Sequence, residues 1–132
     1  MSAIVLATAG LERLKLDVND LTSIKLHPRE FVPAPAQGVL AYQTRRDDIN
    51  MRKIIAQISK REVAQRTNVE RKVLQMMDGG CHLPLGVYCE TDSNGYYHVY
   101  AAKGTDQGLK RVNESSSTYV GLAESIYDQL MK

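Results

Sequence analysis

The chain opens on Ala3-Ile4-Val5-Leu6-Ala7, an unbroken apolar run without polar alternation, the pattern of a strand buried on both faces of a parallel sheet. Such a strand needs neighbours on both edges and cover on both faces, yet no comparable run follows it closely. Thr8, Ala9 and Gly10 lead into a short helix through Leu11, Leu14 and Leu16. The expectation is an orphaned strand and helix, and a sequence that reads as a piece of something longer. With 132 residues, 43% of them apolar, the chain has material for one compact domain, or one with an appendage.

Between His27 and Gly38, Pro28, Pro33 and Pro35 bias their predecessors toward extended geometry and exclude a helix. This is a crossing or linker. Val39 to Thr44 resumes a strand-like pattern, and Asp47 or Asp48 offers an N-cap to a helix with Ile49, Ile54, Ile55 and Ile58 on one face. Val63, Val69, Val73, Leu74 and Met77 predict a second helix from about Arg61 to Asp78, stopped by Gly79-Gly80. Beyond Pro84 the period changes to two. Leu85, Val87 and Cys89, the turn Asp92-Ser93-Asn94-Gly95, then Tyr97, Val99 and Ala101 predict a β-hairpin. A third strand follows at Leu109 to Ser115, and Val120, Ala123, Ile126, Tyr127 and Leu130 form a terminal helical stripe. The fold class is α+β: a small three-stranded antiparallel sheet covered on one face by helices, preceded by the orphan strand-helix and the return segment. These helices are expected near Asp48 to Asp78 and Thr118 to Leu130, and residues 1 to about 44 are expected to pack poorly.

Charge excludes some partners. Seventeen basic residues stand against fifteen acidic ones, a net +2, which gives no reason to expect nucleic acid or an anionic membrane. No stretch approaches a membrane span, and the N-terminus lacks the marks of a secretory signal, so a cytoplasmic location is expected. Charge is uneven, however. Arg45 to Lys72 carries nine basic residues and four acidic ones, whereas Val73 to Lys132 carries four and seven. A solvated helix face explains most of that; a surface for anions is the other reading.

Few residues could carry chemistry. Cys81 lies in Asp78-Gly79-Gly80-Cys81-His82-Leu83-Pro84-Leu85-Gly86, where two glycines allow close approach and upstream Arg71 and Lys72 could lower a thiol pKa. It is either a functional thiol or a packed, inert one. Cys81, His82, Cys89 and His98 are metal-ligand types but lack a C-x2-C pair, so no metal site is expected. By phase, Cys89 belongs to the core and His98 to the other sheet face. Gln37 and Gly38 close Pro33-Ala34-Pro35-Ala36-Gln37-Gly38, a bare linker or a turn presenting an amide and open backbone. Arg13 is a solvated helix residue or a bidentate carboxylate binder.

Three segments in order, Leu6-Ala7-Thr8-Ala9-Gly10-Leu11-Glu12-Arg13-Leu14, Pro33 to Gly38 and Asp78 to Gly86, resemble the C-terminal part of the porphobilinogen deaminase (hydroxymethylbilane synthase) family. The Val69-Glu70-Arg71 helix links the second to the third. The resemblance spans nearly the whole chain and implies a transferase of tetrapyrrole and heme biosynthesis, which condenses four porphobilinogens into hydroxymethylbilane with release of ammonia. Residues 1–44 would then be a remnant of the second domain plus the return segment through the first, and 45–132 the C-terminal cofactor-anchoring domain. The resemblance makes Cys81 the thioether anchor of a dipyrromethane primer, places Ala7, Gln37 and Gly38 along the cofactor cleft, and gives Arg13 the acetate or propionate groups of porphobilinogen and the growing pyrrole chain. No catalytic acid or base of the family falls within this sequence. The fragment is therefore expected to be inactive and without the cofactor, free to self-associate through its orphan strand, where the full-length enzyme is monomeric. A standalone binding or regulatory domain with an inert cysteine is the alternative. The chain departs from the family pattern at Ala36, commonly glycine, and at Gln43-Thr44, commonly Glu-Cys.

Overall fold

The computed structural model describes residues 3–18, 20–78 and 83–132. The period-two segment forms the expected meander: β1 (Leu85–Thr91), β2 (Tyr97–Thr105) and β3 (Gly108–Ser116), antiparallel in the order β1-β2-β3. Val87 pairs with Ala101 and Cys89 with Val99; across the second ladder Tyr100 pairs with Asn113 and His98 with Ser115. The first hairpin is set by Asp92, whose Oδ1 accepts the N–H groups of Asn94 and Tyr96, both at 2.9 Å, and by Gly95 at φ +83°. The second turns through Asp106-Gln107 to Gly108 at φ +118°. Both positive angles suit glycine, which has no Cβ to clash.

Two helices cover the inner face: α3 (Arg61–Met76) and α4 (Leu122–Met131). Val69 and Val73 from α3 and Leu122, Ala123, Ile126 and Leu130 from α4 meet Leu85, Val87, Cys89, Val99 and Ala101 in a single core. The α+β architecture is thus formed by residues 61–132. The expected helix limits move slightly. α3 ends two residues earlier than Asp78, and α4 begins after Gly121 at φ +82°, leaving Val120 exposed.

The first half of the chain departs from expectation. Ala3 to Ala7 and Val39 to Thr44 are not strands, and Ile4, Val5, Leu6 and Leu40 are exposed. An apolar run becomes a strand only when a neighbour accepts and donates its backbone hydrogen bonds, and the described residues offer these segments none. α1 (Thr8–Leu14) and α2 (Ile49–Ile58) do form, α2 under the expected cap, with Asp48 accepting from the N–H of Met51 at 2.9 Å. Neither buries a residue. The expectation that α2 would cover the sheet is corrected: its apolar face, with Ile54 at 54% and Ile58 at 55% exposure, stands in solvent. Among the described residues no helix is long and apolar enough to cross a membrane.

One part of residues 1–44 does pack, contrary to expectation. Arg29 lies over the Tyr100 ring on the outer sheet face and donates from Nε to Glu90 at 2.7 Å. Val32 crosses Gly86 so closely that a Cβ there would stand 2.5 Å from the Val32 carbonyl oxygen. The carbonyl of Pro33 then accepts the N–H of Val87 at 2.9 Å. Residues 29–36 form a strap that starts on the outer face, rounds the free edge of β1 and ends at α3.

Candidate functional site: the strap turn and the cysteine loop

The strap ends in a tight turn. Gln37 donates its N–H to the Ala34 carbonyl at 3.3 Å, Ala36 sits at φ +62° and Gly38 at φ +70°. A left-handed conformation costs a residue with a Cβ roughly 1–2 kcal/mol, so Ala36, at a position where glycine would be unstrained, must be held. The hold is Glu70. Its Oε2 accepts the Ala36 N–H at 2.7 Å while its Oε1 accepts the Cys89 N–H at 2.8 Å. Glu70 projects from the buried face of α3, 7% exposed and the one buried charged residue among the described residues.

Burial pushes the Glu70 carboxyl above its ordinary range, opposed by the two backbone N–H groups and the charge of Arg66 one turn earlier. The carboxylate and the Pro33 carbonyl together satisfy the Cys89 and Val87 amides on the exposed edge of β1, which would otherwise be open to another strand. In the sequence Glu70 stood out only as part of the linking Val69-Glu70-Arg71 helix, with no role of its own. The signal was present: seven residues after Val63 and seven before Met77, it is in phase with the apolar stripe, where an acidic side chain has to find donors.

Gln37 and Gly38 lie exposed at the tip of this turn, and an added Cβ on Gly38 would meet nothing within 4 Å. Cys81 lies outside the described residues, as do Gly79, Gly80 and His82. Both ends of its loop are anchored. Leu74 and Met77 pack on the core before it and Leu83 after it, and Gly104 donates to the Pro84 carbonyl at 2.8 Å. The residues that flank the loop and the strap turn therefore belong to one packed unit. Ala7 and Arg13, at either end of α1, are exposed, and no described hydrogen bond joins either to the strap. Lys72, a candidate partner for the Cys81 sulfur, instead donates to Glu124 of α4 and holds that carboxyl below its usual range.

The other thiol is chemically quiet. Cys89 is 2% exposed, and burial followed by the nearby Glu70 carboxylate pushes it up to about 12, so it carries almost no thiolate near neutral pH. His98 occupies the outer face, as its phase requires. Its Nδ1 lies 2.6 Å from Ser115 Oγ and its Nε2 3.1 Å from Asp92 Oδ2, and His98, with the Tyr96 and Asn94 amides, holds the Asp92 carboxyl below its usual range. The order serine–histidine–aspartate is that of a hydrolytic relay, but Asp92 is occupied in closing the hairpin through the Asn94 and Tyr96 amides. It acts as a cross-strand lock.

Residues 1–53 match the family model described as porphobilinogen deaminase, dipyromethane cofactor binding domain. The chain is 40% identical over 106 residues to a porphobilinogen deaminase of Fusobacterium nucleatum, covering 80% of this chain and 34% of that protein. It is 38% identical to that of Staphylococcus carnosus over 87% of this chain and 37% of the relative. For Natranaerobius thermophilus the figures are 32% identity, 91% and 38%.

The chain belongs to the porphobilinogen deaminase family.

It spans between a third and two fifths of the length of these deaminases. The cofactor-binding model takes in Ala7, Arg13, Gln37 and Gly38 and stops short of Cys81, whereas a match over 91% of the chain necessarily includes the cysteine loop as well. Dipyrromethane carries carboxylate side arms, and the described residues suit it: the strap tip offers an exposed amide and backbone open to close approach, and Arg13 an exposed guanidinium.

Proposed function

We propose that this chain is the cofactor-anchoring portion of a porphobilinogen deaminase, a transferase that condenses four porphobilinogens into hydroxymethylbilane and releases ammonia. The observation that carries the reading is the fastening of the Gln37–Gly38 turn, through Glu70, to the same packed unit that holds both ends of the Cys81 loop. Cys81 is the thioether anchor. Gln37 and Gly38, with Ala7, line the cofactor, and Arg13 binds an acetate or propionate group bidentately. Bound through sulfur, dipyrromethane supplies the pyrrole on which the chain grows. The residues named here hold and orient it, and none moves the reaction's protons. Residues 1–44 continue domains that lie outside this sequence, and 45–132 form the anchoring domain.

A cleft needs more than one wall, so the 132-residue chain by itself is inactive and carries no primer. The test is made in a full-length deaminase containing this sequence. Cys81→Ser is expected to fold and to lose the covalent dipyrromethane mass, because a hydroxyl is a far weaker nucleophile than a thiolate. Arg13→Ala is expected to keep the primer and slow elongation by roughly ten- to a hundredfold, through loss of its charge-assisted contact with the carboxylate. A Cys81→Ser enzyme with covalent primer and full turnover would overturn the assignment and leave a binding domain with an inert cysteine as the better reading.

A further inference from the structure

We propose that Glu70 is a positioning residue of the cofactor site, its buried carboxylate holding the strained Ala36 turn so that Gln37 and Gly38 are presented in a fixed orientation on the unit that carries the Cys81 loop. This inference rests on the function proposed above. A charged side chain 7% exposed on a helix face that otherwise carries Val69 and Val73 is poorly explained by stability, since hydrophobic replacement of a buried charge is commonly neutral or better. Its geometry explains it instead. Each carboxylate oxygen accepts one N–H, and the two donors belong to segments far apart in sequence, Ala36 and Cys89.

Glutamine cannot replace it. One side-chain oxygen would still accept, while the amide N–H group would point at the other backbone N–H. Ala36 would then lose the contact that keeps it at φ +62°, relax toward the ordinary backbone basins, and re-aim the next two residues. Glycine at 36 adopts that angle freely. The proposal therefore makes a specific forecast: Ala36→Gly compensates for the loss of Glu70.

Two measurements decide it. In the 132-residue chain, amide exchange read by NMR is expected to show the Ala36 N–H protected to the level of Cys89, although Ala36 lies in a surface turn. Glu70→Gln is expected to raise exchange at the Ala36 amide at least tenfold while the cooperative melt persists. In the full-length deaminase, Glu70→Gln is expected to lower kcat about tenfold with KM for porphobilinogen within threefold and covalent dipyrromethane retained. Glu70→Gln/Ala36→Gly is expected to recover most of that kcat, which a purely structural loss would not do.

An Ala36 amide that exchanges as freely as an unbonded turn amide in the wild type overturns the proposal, and that measurement does not depend on any variant folding. So does a folded Glu70→Gln enzyme with unchanged kcat and KM, or a double variant no better than the single one. A wild-type enzyme that consumes no porphobilinogen would defeat the functional reading instead, and amide exchange would still decide whether the clamp exists.

Discussion

Residues 61–132 and residues 3–58 have comparable supplies of apolar side chains and opposite fates. In the first region Val73, Val87, Val99 and Ile126 are fully buried, whereas in the second Ile4, Leu21, Ile24, Leu40 and Ile49 are all more than 60% exposed. The difference is not hydrophobicity but closure. The sheet pairs three strands and two helices cover its inner face, so backbone and side chains are satisfied together. α1 and α2 form their own helical hydrogen bonds, and among the described residues neither buries a side chain. The strap is the instructive intermediate: poor in regular structure, it is nevertheless fixed because β1 offers amides at its edge and Glu70 offers a carboxylate.

The contrast predicts its largest effect in the core. Ile126→Ala is expected to cost about 2–5 kcal/mol, as buried truncations do, and Ile54→Ala on α2 less than about 0.5 kcal/mol, as for a surface change. Urea denaturation of both variants is the check, and equal losses would erase the distinction between the two regions. A smaller effect sharpens the place of the strap. Gly86→Ala forces a Cβ against the Val32 backbone and is expected to cost about 1–3 kcal/mol by overpacking. It should also release the Val87 amide to solvent exchange. A neutral Gly86→Ala would mean that the strap is not seated.

Stability is expected to be unchanged by Val5→Lys, since Val5 is 68% exposed, but association is not. The open apolar arm should drive self-association that rises with concentration. Light scattering that is concentration-independent in the wild type, or unaltered by Val5→Lys, would count against the arm as the cause.

The smallest expected effect is on the acid limb of the stability curve. Asp92 and Glu124 are held below their ordinary values, so each contributes stability that is present above the unfolded-state pKa of about 4 and lost as pH falls through the depressed folded value. Asp92→Asn should flatten that limb partly, leaving the Glu124 share. Glu70 acts with the opposite sign. Its folded pKa is raised, so its share of stability is full below the ordinary carboxyl value and falls as pH rises through the raised one. An acid limb identical in wild type and Asp92→Asn would show that the lock carries no charge coupling.

Much of this was legible in the sequence. The period-two run from Leu85 to Ala101 fixed which face Cys89 and His98 would take, because side chains alternate across a strand whatever surrounds it. Gly95 marked the first turn, and the spacings through Val73 and Ile126 marked the buried faces of α3 and α4. The ordered motifs around Arg13, Gln37 and Cys81 were sufficient for the family. Ala36, marked in the sequence only as an alanine where glycine is common, proved to stand at φ +62°.

What the sequence could not decide was everything that depends on a partner distant in the chain. Ala3 to Ala7 has the composition of a buried strand, but strandness is a relation between two backbones, and the described residues contain no second one for it. Glu70 reads as one more charge in a basic run until Ala36 and Cys89 are brought to its two oxygens. Periodicity is set by the local geometry of helix and strand, so sequence alone determines it; the strap, the clamp and the exposed arm are set by hydrogen-bond complementarity between residues 34 and 19 positions apart, which exists only once the tertiary structure has formed.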